Sequence, residues 1–439
     1  MKYGGFPELN PPALEDDVNI IAALKQSGRV SSISLTVTDS LIEKLPAITE
    51  PLSGLEELVL LSRDNVHLTL PNAFRWGSRL RTLHSTRVAI PSFPQLILSC
   101  QDLAHIQLHE IPGTGYFSPE AFANALSGVT NLQTLSLHFL SFPSRRKFLG
   151  FPLPSEERVL LPSLMCFKYR GTSKYLDNFV ARVDAPRLGD IDITFFSQPT
   201  MDASQLGRCI ERIGMSTPLR QAEIQISEDA ISTTFPNRST AIRPIPLRIR
   251  IPCKQLDWQL SSMAQIFNHF SPFLFRVEDL QINSVQLHVV DAEQWLELIR
   301  TFGGTRYLHV AGVHVTDILD ALRSAHGGHT AENVLPSLQS LRIYEHISVD
   351  MPSWDAAESF FASRQLSGHP VELYANFICH ICHTRFIQQE ELKRHLVEVH
   401  SYRIYSGDVE FKPDLANEHP TPLDVALFGP FTRIQAPFG

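Results

Sequence analysis

Leu103-Ala-His-Ile-Gln-Leu108 and Leu132-Gln-Thr-Leu-Ser-Leu137 spell the same six-residue phrase, apolar-x-x-apolar-x-apolar, and that phrase recurs along most of the 439-residue chain. It returns as Val30/Ile33/Leu35, Leu55/Leu58/Leu60, Leu164/Phe167/Tyr169, Leu188/Ile191/Ile193, Val277/Leu280/Ile282 and Leu338/Leu341/Ile343. Weaker copies are Leu80/Leu83/Ser85, Leu219/Ala222/Ile224, Thr305/Leu308/Val310 and Gly368/Val371/Leu373. The copies start at 30, 55, 80, 103, 132, 164, 188 and 219; after a gap bridged by the alternating Leu247/Ile249/Ile251 they resume at 277, 305, 338 and 368. Alternation at the end of each phrase buries one side of a strand and leaves the other polar. A near-constant period in the range of about 20–50 residues marks a repeat architecture.

Between the phrases the hydrophobic period lengthens to three or four. Pro119-Glu-Ala-Phe-Ala-Asn-Ala-Leu126, Tyr175-Leu-Asp-Asn-Phe-Val-Ala-Arg182, Asp291-Ala-Glu-Gln-Trp-Leu-Glu-Leu-Ile-Arg300 and Asp317-Ile-Leu-Asp-Ala-Leu-Arg323 read as short amphipathic helices. Strand, helix and a further parallel strand one period on is the unit of a leucine-rich-repeat-like solenoid, in which stacked units share one continuous core. The alternative is an ordinary doubly wound α/β domain, but so many units exceed what one open sheet usually holds. The expected fold class is therefore α/β: parallel strands on a concave face, helices outside. Standard repeats place Asn or Cys three residues after the last strand leucine. Here those places hold Arg63, Ile111, Leu140, Phe196, Val285 and Val313, which predicts longer, less regular repeats.

Composition narrows the class. With 43% apolar residues the chain can bury a core, and its net charge of −8 gives no global attraction for nucleic acid or anionic membrane. No apolar run is long enough to span a bilayer, and the N-terminus lacks a signal-peptide profile. Cys100, Cys166, Cys209 and Cys253 lie singly, as in a reducing compartment. An intracellular protein is expected, with nucleus and cytoplasm both open. No Gly-rich phosphate loop, strand-linked dinucleotide fingerprint or nucleophile elbow is present, so no enzyme and no small-molecule substrate are expected.

One motif carries its own chemistry. Cys379 and Cys382 are separated by two residues, twelve follow, and His395 and His400 are separated by four. That spacing brings two thiolates from a hairpin knuckle and two imidazoles from a helix around tetrahedral Zn²⁺. Phe377, Phe386 and Leu392 stand where a small ββα Cys2His2 finger keeps its apolar core. Metal binding supplies the stability of such a module, about 10–16 kcal/mol in finger peptides. The base-reading helix positions hold Gln388, Glu391 and Arg394, and Glu390 and Glu391 turn negative charge toward a phosphate-lined groove. A structural or protein-binding finger is favoured over a nucleic-acid-binding one.

Several stretches place the chain near a family. Residues 11–37, Glu56-Glu-Leu-Val-Leu-Leu-Ser-Arg-Asp64, Cys253-Lys-Gln-Leu-Asp-Trp-Gln-Leu-Ser-Ser-Met263 and Glu293-Gln-Trp-Leu-Glu-Leu-Ile-Arg300 resemble fungal F-box/leucine-rich-repeat-like proteins of mushroom-forming species, some of which end in a Cys2His2 finger. The resemblance implies that repeats select a substrate while an F-box docks on a cullin-type ubiquitin ligase. Residues 11–37 match the segment after the F-box, and with Met1 only ten residues ahead of Pro11 the chain is expected to lack that module. The expected organisation is an N-terminal cap over 1–28, the solenoid over 29–375, the finger over 376–401 and an irregular tail over 402–439.

The x positions of the phrase predict the exposed row of each strand. They are Thr82/His84/Thr86, His105/Gln107/His109, Thr134/Ser136/His138, Cys166/Lys168/Arg170 and Asp190/Asp192/Thr194. A protein partner is expected there, recognised by a pH-sensitive patch of His84, His105, His109 and His138 beside Lys168, Arg170, Asp190 and Asp192. A second metal site at His109 and His138 lacks an evident third ligand. The competing function is a nucleic-acid-binding zinc-finger protein whose solenoid serves as a partner platform.

Overall fold

The computed structural model describes residues 14–45, 52–62, 68–71, 77–90, 92–141, 158–213, 219–236, 247–285, 291–324, 334–347, 352–366, 368–379 and 385–386. The protein is mixed α/β and divides into two compact units. One comprises residues up to 217 together with 240–252; the other comprises 218–239 and the chain from 253 onward. Each is built on a mostly parallel sheet with helices.

In the first unit the phrases become strands β1 (Ser32–Thr36), β2 (Glu57–Leu61), β4 (Thr82–Thr86), β6 (His105–Ile111), β7 (Thr134–Phe139), β9 (Cys166–Gly171) and β11 (Asp190–Phe195). They pair in that order, all parallel. Two short parallel pairs accompany them, β3 (Leu68–Thr69) with β5 (Val88–Ala89) and β8 (Val159–Leu160) with β10 (Val183–Asp184). The interior phrase residues are buried: Leu83, Ile106, Leu135 and Ile193 are fully enclosed. In the first copy Val30 and Leu35 are only half-buried, because among the described residues β1 has a strand on one side alone.

The helices fall where the longer period places them: α1 (Leu14–Leu24), α2 (Asp39–Lys44), α3 (Phe93–Ile97), α4 (Pro119–Leu126), α5 (Ser173–Val180) and α6 (Ser204–Ile213). Thr38, Ser118 and Thr172 cap α2, α4 and α5 by accepting a backbone N–H. Consecutive helices pack in series, α3 on α4, α4 on α5, α5 on α6. Phe122 of α4 stacks on Phe179 of α5, which lies against Phe167 of β9. Buried Asp177 of α5 accepts from the backbone N–H groups of Gln205 (2.7 Å) and Leu206 (3.0 Å), so the start of α6 is tied to α5. The missing Asn ladder is replaced by backbone: the N–H of Leu140 donates to the carbonyl of Ile111, and that of Phe196 to Gly171.

One expectation needs correction. A strictly serial array would set the phrase at 219 beside the phrase at 188. Instead β14 (Leu247–Pro252), the bridging stretch, pairs parallel with β11 and closes the first unit's sheet. The phrase at 219 becomes β12 (Gln221–Ser227), which turns into an antiparallel hairpin with β13 (Ala230–Phe235) and pairs on its other side with β15 (Asp279–Ser284). The physical reason is that β12 and β13 are joined by only two residues, Glu228 and Asp229, too few for a parallel crossover.

The second unit continues from β12 and β15 with β16 (Tyr307–Gly312), β17 (Ser340–Ile347) and β18 (Glu372–Cys379), all parallel, and ends with β19 (Arg385–Phe386) antiparallel to β18. Its helices are α7 (Leu256–Asn268), α8 (Ser271–Leu274), α9 (Ala292–Arg300), α10 (Val315–Ser324) and α11 (Pro352–Leu366). Trp295 of α9, Phe267, Phe270 and Phe302 are fully buried among them. Among the described residues no helix is long and apolar enough to cross a membrane.

Candidate interaction face and zinc knuckle

Strand register converts the repeat phrase into rows. In the first unit one row runs Thr82, His105, Thr134, Cys166, Asp190; the next runs His84, Gln107, Ser136, Lys168, Asp192, Arg248. The third runs Thr86 to His109, passes an irregularity between Leu108 and Ile111, and continues His138, Arg170, Thr194, Arg250. Every predicted face residue, His84, His105, His109, His138, Lys168, Arg170, Asp190 and Asp192, therefore lies on one side of one sheet. The opposite side carries the buried phrase residues.

Three of the four histidines touch. The His84 and His109 rings meet edge to face at 5.3 Å, and His109 and His138 stack at 4.6 Å with their planes 10° apart. The Ser136 hydroxyl, almost fully buried, lies 3.1 Å from His109 Nε2 and 3.3 Å from His138 Nε2. His84 Nε2 lies 3.1 Å from the Thr86 hydroxyl. His105 shares the face one row away.

The stack is neutral at ordinary pH. Burial lowers the pKa of His138 to about 4, helped by His109, Arg170 and Lys168 and opposed by Glu110. His109 is lowered by burial and then by His84 and Lys168, and His84 by burial. The expected pH sensitivity thus moves below the range in which a free histidine titrates. A hydroxyl already fills the point on which two of the rings converge. Among the described residues no group of three or more His, Cys, Asp or Glu is placed to hold a metal ion.

Charge follows in alternating strands. Lys168 and Arg170 stand on β9, Asp190 and Asp192 on β11. Arg248 and Arg250 on β14 were not among the predicted residues, although the alternation Leu247-Arg-Ile-Arg-Ile251 carries both at x positions. Arg248 Nη1 is 3.9 Å from Asp192 Oδ2. Burial raises the Asp192 pKa, against the pull of Arg248, Lys168 and Arg250. The Cys166 thiol donates to Asp190 Oδ2 at 3.4 Å; burial, with Asp190 beside it, pushes its pKa up to about 11, so it is an unreactive thiol.

The proposed zinc ligands are only partly in view. β18 ends on Cys379, and its pairing with β19 sets Phe377 opposite Phe386 and Ile378 opposite Arg385. Cys379 therefore stands at the end of a strand that has an antiparallel neighbour, and residues 380–384 lie outside the described residues. Cys382, His395 and His400 lie outside the described residues, as do Gln388, Glu391 and Arg394. No protein-family model matches the chain, and no curated protein matches it.

Proposed function

We propose that this protein is a protein-interaction scaffold: the strand face of the first unit holds a protein partner, and residues 376–401, in the C-terminal part of the second unit, form a Zn²⁺-stabilised Cys2His2 finger. The observation that carries the reading is the registered face, on which eight residues singled out from the repeat phrase fall together on one side of a sheet. The resemblance to F-box/leucine-rich-repeat-like proteins adds the reading that the partner is a substrate for a ubiquitin ligase. Zinc at Cys379, Cys382, His395 and His400 is supported by ligand spacing and by the antiparallel pairing of β18 and β19 on either side of the cysteine pair.

Affinity purification with the wild-type chain and with the His138→Ala/Arg170→Ala double variant tests the face: a specific partner held by the first and lost by the second is expected. Equal recovery of every partner by a folded double variant would remove the proposal. Metal analysis is expected to give one zinc per chain, lost in Cys382→Ser. Tight duplex-DNA binding with a steep salt dependence would instead favour the nucleic-acid reading.

A further inference from the structure

We propose that the partner segment seated on the first unit's strand face is an acidic polypeptide, with its carboxylates held along the row His138, Arg170, Thr194 and Arg250. This rests on the preceding reading of the face as an interaction surface and names the chemistry of its occupant.

The argument is one of charge laid out by register. The row at the strand starts, Ser32, Glu57, Thr82, His105, Thr134, Cys166 and Asp190, carries two carboxylates and no Lys or Arg. In the middle row Asp192 stands between Lys168 and Arg248, one carboxylate against two cations. The row at the strand ends, from Thr36, Leu61, Thr86 and His109 through His138, Arg170, Thr194 and Arg250, carries no carboxylate of its own, and Glu110 beside His109 is paired with Arg87. Positive charge thus accumulates at one end of the face in a chain whose net charge is −8. Both Arg170 and Arg250 are exposed, with half-buried Thr194 between them.

Two strand spacings separate Arg170 from Arg250, about 10 Å between Cα atoms. That suits two acidic side chains of an extended peptide crossing the strands, each taken by a guanidinium fork. The Thr194 hydroxyl offers a donor between them. Next along the row the stacked, uncharged rings of His109 and His138 present a flat surface that neither repels nor competes for a carboxylate. A nucleic-acid backbone fits less well. Asp190 and Asp192 lie within one or two rows of the arginines and would repel a continuous line of phosphates, whereas a peptide carries its charges only where its sequence puts them.

The test is fluorescence polarisation with the full chain, using a short fluorescein-labelled Asp/Glu-rich peptide, a Lys-rich peptide of equal length, and a labelled DNA duplex. The acidic peptide is expected to bind best, with affinity falling as salt is raised. Arg170→Glu/Arg250→Glu is expected to weaken it by about tenfold or more, and Asp192→Asn to strengthen it by about two- to threefold. Circular dichroism melting checks that both variants remain folded. Tighter binding of the Lys-rich peptide or of duplex DNA would overturn the inference, as would unchanged binding by a folded Arg170→Glu/Arg250→Glu chain. A natural partner that depends on His138 and Arg170 but binds through a segment without acidic residues also overturns it, while leaving the interaction face itself standing. If no partner depends on those residues, the earlier reading fails instead.

Discussion

The two units build the same device and finish it with opposite chemistry. In the first, the exposed rows carry histidines and four cations, Lys168, Arg170, Arg248 and Arg250. In the second, the corresponding rows run Gln221, Asp279, Tyr307, Ser340, Glu372; then Glu223, Gln281, His309, Arg342, Tyr374; then Gln225, Asn283, Ala311, Tyr344. That face is amide-rich, tyrosine-bearing and acidic. Gln221 donates to Asp279 (3.0 Å), Asn283 to Glu223 (3.3 Å), and the Arg342 guanidinium sits 5.5 Å from the Tyr374 ring centre. Beneath both faces the core is interchangeable: Leu135 and Leu280 are each fully buried at the same place in the phrase. Fold is set by the apolar positions, and whatever distinguishes the units is set by the positions between them.

If that is right, the core should fail alike in both units. Leu135→Ala and Leu280→Ala each remove a fully enclosed side chain, and each is expected to cost about 2–5 kcal/mol. Urea unfolding followed by circular dichroism checks this. A loss in one unit several times the loss in the other would mean that their cores are not equivalent.

The strand ends sharpen the contrast. Gly312, which ends β16, has φ of 97°, and a Cβ there would run into the Ser284 carbonyl on β15. In the first unit Glu110, near the end of β6, is also left-handed at φ 51°, yet it carries a side chain that pairs with Arg87. Gly312→Ala is expected to destabilise by about 2 kcal/mol or more, seen as a lowered urea midpoint. An unchanged midpoint would show that the backbone at this position relaxes freely.

Much of this fold was legible because a buried strand face enforces a period of two and a short helix a period near four, so each phrase forecast its own strand. Leu219/Ala222/Ile224 shows the limit. Its pattern correctly marked a strand, but pattern is silent on which neighbour a strand takes. The two-residue link Glu228-Asp229, a hairpin signal, was the clue that the order would break. The face was legible for the same reason as the core, since x positions point away from it; Arg248 and Arg250 were passed over because their stretch lacks the leading apolar residue of the phrase. Histidine protonation was not legible, because it depends on how deeply Ser136 and the neighbouring rings are packed.

That packing predicts a pH response confined to the first unit's face. In the unfolded chain His138 titrates near 6.5, and in the folded protein near 4. The folded pKa is depressed, so its contribution is fully present above about 6.5 and is lost as pH falls toward 4, where the unfolded state takes up the proton first. After allowance for partial exposure the loss is on the order of 2 kcal/mol. The groups facing His138 are His109 and Glu110 from β6 and Lys168 and Arg170 from β9, and of these only Glu110 favours its protonation. His138→Gln, which cannot titrate, is expected to flatten the decline in urea midpoint between neutral pH and pH near 4.5. A decline as steep as that of the wild type would place its origin in other residues.

The smallest expected effect separates binding from stability. Arg248 and Asp192 lie 3.9 Å apart, and both side chains are more than a third exposed or close to it. An ion pair so placed contributes about 0–1 kcal/mol. Burial also raises the Asp192 pKa, and Arg248, Lys168 and Arg250 offset that only in part, so the site does not favour the charged carboxylate. Asp192→Asn is therefore expected to leave stability within about 0.5 kcal/mol of wild type, while removing the middle row's one carboxylate from between Lys168 and Arg248. A carboxylate-to-amide change on the other face, Asp279→Asn, removes a carboxylate that accepts from Gln221 and lies 3.5 Å from His309, and it is expected to reduce stability more. If the two substitutions shift stability equally, the two faces differ in charge but not in how tightly that charge is woven into the sheet.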